Sequence, residues 1–300
     1  MEAGQRHFAC TRCGKCCNRS PEVELSEAAP LADVFVFRLM FRLYWLPNNL
    51  NDYVLDGFGT NRSAAFYEKK RLLNTFAARK YPVKIRRDGK VIGYTKYLTI
   101  SALTLDRAIG ACSALNGTQC GIYDRRPTGC RSVPFHYSRG ESRAEQGLKA
   151  FIETPGYLCD TSQSAGLVLS NGQIVAPDVN AARANAAAIA RRDIGWRQAI
   201  AQQMNAAPTT GHGLPSLQEV KINAQFGVST VSMSLAWKVA RDIGLIRPDE
   251  CQSLIELQLH LIKQELSTGR CSNETRETLA EMAVEYRDDL HSAYAVAMTG

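Results

Sequence analysis

Apolar positions recur at two different periods along this chain, and the changes of period mark out its elements. Over residues 25–46, "LSEAAPLADVFVFRLMFRLYWL", apolar side chains fill most positions and Arg38 and Arg42 stand four apart. Helical spacing accommodates this run, Ser26 suits an N-cap and Pro47 lies just beyond the end, so a helix is expected. A second, basic helix is expected from about 62 to 80. The pattern then becomes strand-like in "YPVKIRRDGKVIGYTKYLTI", where β-rich segments flank Asp88-Gly89, the strongest short hairpin signal in the chain. Residues 106–160 read as loop-rich. From 177 onward helical spacing returns in "DVNAARANAAAIARRDIGWRQAIAQQMN" and breaks at Pro and Gly between 208 and 215. Three further helical stretches follow, the last capped by Asn273 or Ser272. There is no internal repeat. The pattern predicts a mainly α fold with a small β-hairpin element and a C-terminal helical bundle.

Composition narrows this picture only a little. With 45% hydrophobic and 22% charged residues over 300 positions, the chain supports one large core or two modest ones, and disorder is not expected. Arg38 and Arg42 interrupt the most apolar stretch, so no run reaches the ~18 to 20 uncharged residues of a membrane span. The opening "MEAGQRHFAC" lacks the basic segment, apolar core and cleavage site of a secretory leader, and a cytoplasmic location is expected.

Charge divides the chain more sharply. Residues 1–160 hold 24 Lys and Arg against 15 Asp and Glu, while 161–300 hold 12 against 14. Within the basic half, residues 69–96 carry ten basic side chains and one acidic, with Phe76, Tyr81 and Tyr94 among them. Such a run fits an acidic or phosphate-bearing partner, and equally a solvated helix followed by a hairpin.

Cysteines follow the same division. In a reducing cytosol ten cysteines point to metal ligation or redox chemistry rather than disulfides. Eight lie before residue 160: Cys10, Cys13, Cys16 and Cys17 in "CTRCGKCC", then Cys112, Cys120, Cys130 and Cys159 in Gly-, Pro- and polar-rich surroundings. Cys251 sits at helical spacing in "RPDECQSLIELQLHLIKQEL" and reads as a small helix-face residue; Cys271, in a turn, is discounted in the same way. The expected organisation is a cysteine-cluster metal-binding domain over 1–165, its loops pinned by metal, and an α-helical region over 175–300.

Thiolates at Cys10, Cys13 and Cys16 on a tight loop can converge on one centre, with Gly14 relieving the backbone. The spacing suits the three-cysteine run of an iron–sulfur cluster and also half of a zinc site. Adjacent side chains diverge, so Cys16 and Cys17 suggest either two sites sharing the loop or a ligand beside a second thiol. Pro127 sets a turn between Cys120 and Cys130. Arg126 or Arg131 offsets the negative charge that cysteinates bring to a metal; alternatively Asp124 and Arg126 form a local ion pair. His136 and His7 read as polar loop residues rather than ligands.

"CTRCGKCC", followed about a hundred residues later by "CSALNGTQCGIYDRRPTGCRSVPF" and an isolated cysteine, resembles the zinc- or iron-chelating CxxCxxCC family, to which the flagellin lysine N-methylases are similar. The resemblance spans residues 10 to about 160 and implies that Cys10, Cys13, Cys16, Cys17, Cys112, Cys120, Cys130 and Cys159 chelate metal. It implies an iron–sulfur cluster (4Fe-4S) or zinc, and extends less directly to S-adenosylmethionine and protein lysine methylation. No G-x-G-x-x-G, P-loop or familiar hydrolase motif is present, and the radical methyl-transfer spacing C-x-x-x-C-x-x-C is absent. Two classes of function follow: an iron–sulfur enzyme acting on a protein substrate, with Arg126 and Arg131 beside the cofactor, or a structural zinc module that holds a partner.

Overall fold

A computed structural model describes residues 4–15, 17, 20–55, 61–106, 111–137, 140–204, 214–223, 228–269 and 271–297. The elements begin with β1 (Gln5–His7), β2 (Glu22–Val23), α1 (Leu25–Ala28), β3 (Phe37–Pro47), α2 (Arg62–Phe76), β4 (Arg79–Arg87) and β5 (Lys90–Thr104). There follow β6 (Leu115–Asn116), β7 (Gln119–Cys120), α3 (Thr128–Arg131), α4 (Ala144–Ile152), β8 (Leu167–Ser170) and β9 (Gln173–Ile174). The last are α5 (Pro177–Arg192), α6 (Ile194–Gln203), α7 (Leu217–Asn223), β10 (Ser229–Ser232), α8 (Ser234–Asp242), α9 (Pro248–Thr268) and α10 (Asn273–Ala297).

The mainly α expectation is wrong. The chain is 48% helical and 22% strand, a mixed α/β fold with a five-stranded antiparallel sheet and further, smaller sheets. That sheet runs β10-β3-β5-β2, with β4 also on β5. The error lies chiefly at 25–46, where helix gives out after α1 and a short 3-10 turn and Phe37–Pro47 is a strand. Arg38 and Arg42 lie four apart, a spacing that keeps them on one side of a helix and on one face of a strand alike. Periodicity alone does not separate the two in so apolar a run, and the aromatic residues of β3 favour the strand. Ser26 is not a cap: its N–H donates to the Asp193 carboxylate (2.9 Å), and Glu24 starts α1 with its N–H on the Glu27 carboxylate (3.2 Å).

The chain divides into two compact units. The first comprises Met1–Cys16, Tyr44–Leu98 and Leu115–Arg192, the second Cys17–Leu43, Thr99–Ala114 and Asp193–Gly300. In the first, β1-β8-β9 form a small antiparallel sheet over a core of Phe8, Phe135, Leu148, Val168, Leu169 and Ile174. Asn61 caps α2 by accepting from the Ala64 N–H (3.0 Å), and α2 buries Phe66 and Leu73 beside Leu46, Tyr53 and Tyr97. The expected hairpin is present: β4 and β5 pair from Arg79↔Leu98 to Arg87↔Lys90. Its two-residue turn holds Asp88 at φ 50 and Gly89 at φ 75, the left-handed pair that a tight hairpin needs.

In the second unit, β10 pairs with Arg38–Phe41 of β3, and β2 with Ala102 and Leu103 of β5. Helix α9 packs on α10 and α8, and α6 on α8. Trp237 and Tyr286 are fully buried there. Pro248 opens α9 and Gly269, at φ 65, closes it; Ser272 caps α10 by accepting from the Thr275 N–H (3.1 Å). A buried Arg197 of α6 pairs with Glu24. Desolvation pulls the Arg197 guanidinium down to about 10 and pushes the Glu24 carboxyl up, the nearby Asp193 charge pushing Glu24 the same way. Among the described residues no helix is long and apolar enough to cross a membrane.

Candidate functional site

The cysteine loop of the first unit begins as a strand. Beyond β1, a separate antiparallel bridge forms in which Ala9 and Asp160 exchange both backbone hydrogen bonds (2.8 and 3.0 Å). The next residues along these antiparallel segments are Cys10 and Cys159, which therefore come opposite each other although 149 positions apart in sequence. Thr11 extends the seam by donating its hydroxyl to the Leu158 carbonyl (2.8 Å). Phe8, buried against Phe151 at 5.8 Å, anchors the segment from below. Cys10 is exposed, while Cys159 packs against the Phe8 core.

Beyond Cys10 the backbone turns twice into the left-handed region, at Arg12 (φ 58) and Gly14 (φ 72). Gly14 presses on the turn of the β6–β7 hairpin, where a Cβ would stand 2.5 Å from the Thr118 carbonyl oxygen. Cys13 thus sits on the loop that lies against the hairpin bearing Cys120. The expectation that Gly14 relieves the backbone is met with a second reason attached, the close approach to Thr118. Gly14→Ala is expected to lower the stability of this unit by about 2 kcal/mol, combining the left-handed strain with the carbonyl overlap. Thermal melting checks this, with Gly117→Ala, whose added Cβ meets nothing within 4 Å at a similar positive φ, separating overlap from strain.

The segment after β7 is held to the same loop by cations and a ring. The guanidinium carbons of Arg12 and Arg126 lie 4.0 and 3.6 Å from the centre of the Tyr123 ring. Arg126 Nε also donates to the Tyr123 carbonyl (2.9 Å), and Arg131 donates to the Asp124 carbonyl (2.7 Å). These contacts order the stretch that ends in α3, where Cys130 lies. The two arginines expected beside a cofactor therefore brace the loop that carries the cysteines. Among the described residues Asp124 and Arg126 form no ion pair; the carbonyls take the guanidinium donors instead. Sequence reasoning passed over Arg12 and Tyr123, although an arginine inside the cysteine run and a tyrosine directly before "DRRP" were the available signals.

Cys17 and Cys112 belong to the second unit, where the Cys112 N–H donates to the Cys17 carbonyl (3.0 Å). Ser20 and Ser113 hold the same crossing, the Ser113 N–H on the Ser20 hydroxyl (3.1 Å) and the Ser113 hydroxyl on the Leu105 carbonyl (2.9 Å). Cys251 is buried in α9, where desolvation pushes its thiol up, and Cys271 lies within 3.9 Å of the Glu265 carbonyl. His7 meets the Ala165 carbonyl through Nδ1 (2.8 Å), and the His136 ring lies 4.6 Å from that of Tyr137.

Thiols are the donors that zinc and iron–sulfur centres take, and backbone contacts gather the segments carrying Cys10, Cys13, Cys120 and Cys159 in one unit. In donor chemistry the residues fit such a group. Among the described residues no three His, Cys, Asp or Glu side chains stand close enough to hold a metal ion. Cys16 lies outside the described residues. No protein-family model, no curated protein and no solved structure matches this chain.

Proposed function

We propose that this chain is a metal-binding cysteine-cluster protein whose loops hold an iron–sulfur centre. The observation that supports this reading is the Ala9–Asp160 bridge, which sets Cys10 opposite the distant Cys159 on a loop that Gly14 seats against the Cys120 hairpin. Soft thiolates gathered from separate segments are the arrangement in which three clustered cysteines are completed by a remote fourth. Cys10, Cys13, Cys16, Cys120, Cys130 and Cys159 are the candidate ligands in the first unit, and Cys17 and Cys112 in the second. Bound there, an iron–sulfur cluster supplies one-electron transfer. The chain's own residues supply the braced loop: Arg12, Arg126 and Arg131 bring positive charge to a set of anionic ligands, and Tyr123 orients two of them. Protein lysine methylation is the reaction class that the family resemblance implies, and the basic residues of 69–96 are the docking surface proposed for an acidic or phosphate-bearing partner.

Anaerobic purification followed by absorption spectroscopy and analysis for iron, zinc and acid-labile sulfide tests the proposal. A brown protein with matched iron and sulfide is the expected result. Zinc without sulfide would replace the reading by a structural zinc module, and a chain that takes up neither metal after reconstitution under reducing conditions would overturn both.

A further inference from the structure

The β4–β5 hairpin of the first unit has two chemically different faces. Register pairs Tyr81 with Lys96, Val83 with Tyr94 and Ile85 with Ile92, and alternation puts these six side chains on one face together with Lys90. Trp45 of β3 joins them: its ring lies 6.3 Å from Tyr94, edge to face, and 3.6 Å from the Lys96 ammonium. The opposite face is covered at one end, where Tyr97 enters the α2 core, and carries exposed Lys80, Lys84 and Arg86 further out.

The first face is not a core. Trp45 is 45% exposed and Tyr81, Val83, Ile85, Ile92 and Tyr94 are all partly exposed. The charge of the hairpin as a whole is one-sided. The hairpin from Arg79 to Leu98 holds seven Lys and Arg and one carboxylate, Asp88 at the turn. Among the described residues Lys80, Lys84, Arg86 and Lys90 have no carboxylate within ion-pair distance. Arg79 leans over the Tyr81 ring at 5.6 Å and Lys96 lies over the Trp45 ring, so each of these two rings carries a cation against it.

We propose that this face binds single-stranded nucleic acid, bases stacking on Trp45, Tyr94 and Tyr81 while Arg79, Lys90 and Lys96 meet the phosphates. Aromatic planes interleaved with cations on an open sheet suit a strand that offers a π-face and a negative charge at each step. An acidic protein would answer the charge and leave the rings unused. Lys90 and Lys96 are six residue steps apart, about 20 Å along β5, room for a strand of a few nucleotides. The inference stands apart from the metal reading, since none of these residues belongs to the cysteine loops.

Fluorescence anisotropy of the full chain with a labelled oligo-deoxythymidine of about 20 nucleotides tests it, site sizes of this kind being several nucleotides per platform. Binding should weaken with salt, with a log–log slope of about −2 for three phosphate contacts. Trp45→Leu and Tyr94→Leu should each lower affinity about tenfold with the melting temperature unchanged. Lys90→Glu, at an exposed position, should lower affinity by a similar factor and flatten the salt slope, keeping the test open if an aromatic variant misfolds. The same oligonucleotide annealed into duplex should bind more weakly, because its bases are not available to stack. Failure to bind the single strand, equal or better binding of duplex, full competition by polyglutamate at equal charge, or unaltered affinity in all three variants overturns the proposal.

Discussion

Cys13→Ser and Cys120→Ser are each expected to strip the reconstituted protein of most of its metal, at least about tenfold in metal per chain, while Cys251→Ser retains it. Loss of an outer-shell partner already lowers metal affinity by about 10- to 100-fold, so loss of a thiolate that binds directly costs more. Cys13 and Cys120 lie on the two loops that meet at Gly14 and Thr118, and serine there keeps the size of the side chain while removing the soft donor. Cys251 is the matched control, a buried thiol in α9 whose surroundings disfavour the thiolate. Metal binding is coupled to folding in such sites, so the first unit of the two depleted variants should also melt earlier. Iron, zinc and sulfide measured per chain, beside a melting curve, decide the matter. Wild-type metal content in both variants would remove Cys13 and Cys120 from the site.

A second large effect is expected in the second unit, at Gln258. This side chain of α9 is fully buried; its amide oxygen accepts from the Phe37 N–H (2.8 Å) and its amide nitrogen donates to the carbonyls of Ala32 (2.8 Å) and Phe35 (2.9 Å). One amide thus satisfies three backbone groups where the chain leaves the turns after α1 and starts β3. Gln258→Leu keeps the volume and orphans all three, at about 1 to 3 kcal/mol for each buried group, so a loss of about 4 kcal/mol is expected. That is a large part of the ~5 to 15 kcal/mol by which domains are usually stable. Gln258→Glu should also destabilise at neutral pH, because a carboxylate oxygen would replace the donor facing two carbonyls, and it should recover in part in acid, where the protonated carboxyl donates again. Denaturant titration with an unchanged slope is the measurement, and a loss below ~1 kcal/mol in Gln258→Leu would show that water or rearrangement satisfies the three groups.

Local chemistry was legible in the sequence wherever a few neighbouring residues determine the outcome. Asp88-Gly89 specified its hairpin because both positions tolerate the left-handed backbone, and strand alternation on either side did the rest. Ser272 was readable as a cap and Gly14 as a turn for similar reasons, and the cysteine spacing named candidate ligands before any contact was known. Tertiary structure decided whatever depends on a partner distant in sequence. Residues 37–47 became a strand because β5 and β10 lie on either side of β3 to take its backbone hydrogen bonds, and no periodicity within the segment records that those partners exist. Gln258 looked like one polar position on an apolar helix until the chain leading into β3 was laid against it, 221 residues away from Phe37. Cys10 and Cys159 came opposite each other through the Ala9–Asp160 bridge, whose two residues are 151 positions apart in the chain. Side-chain identity and turn geometry are properties of the chain itself, whereas hydrogen bonds between remote backbones exist only once the fold has brought them together.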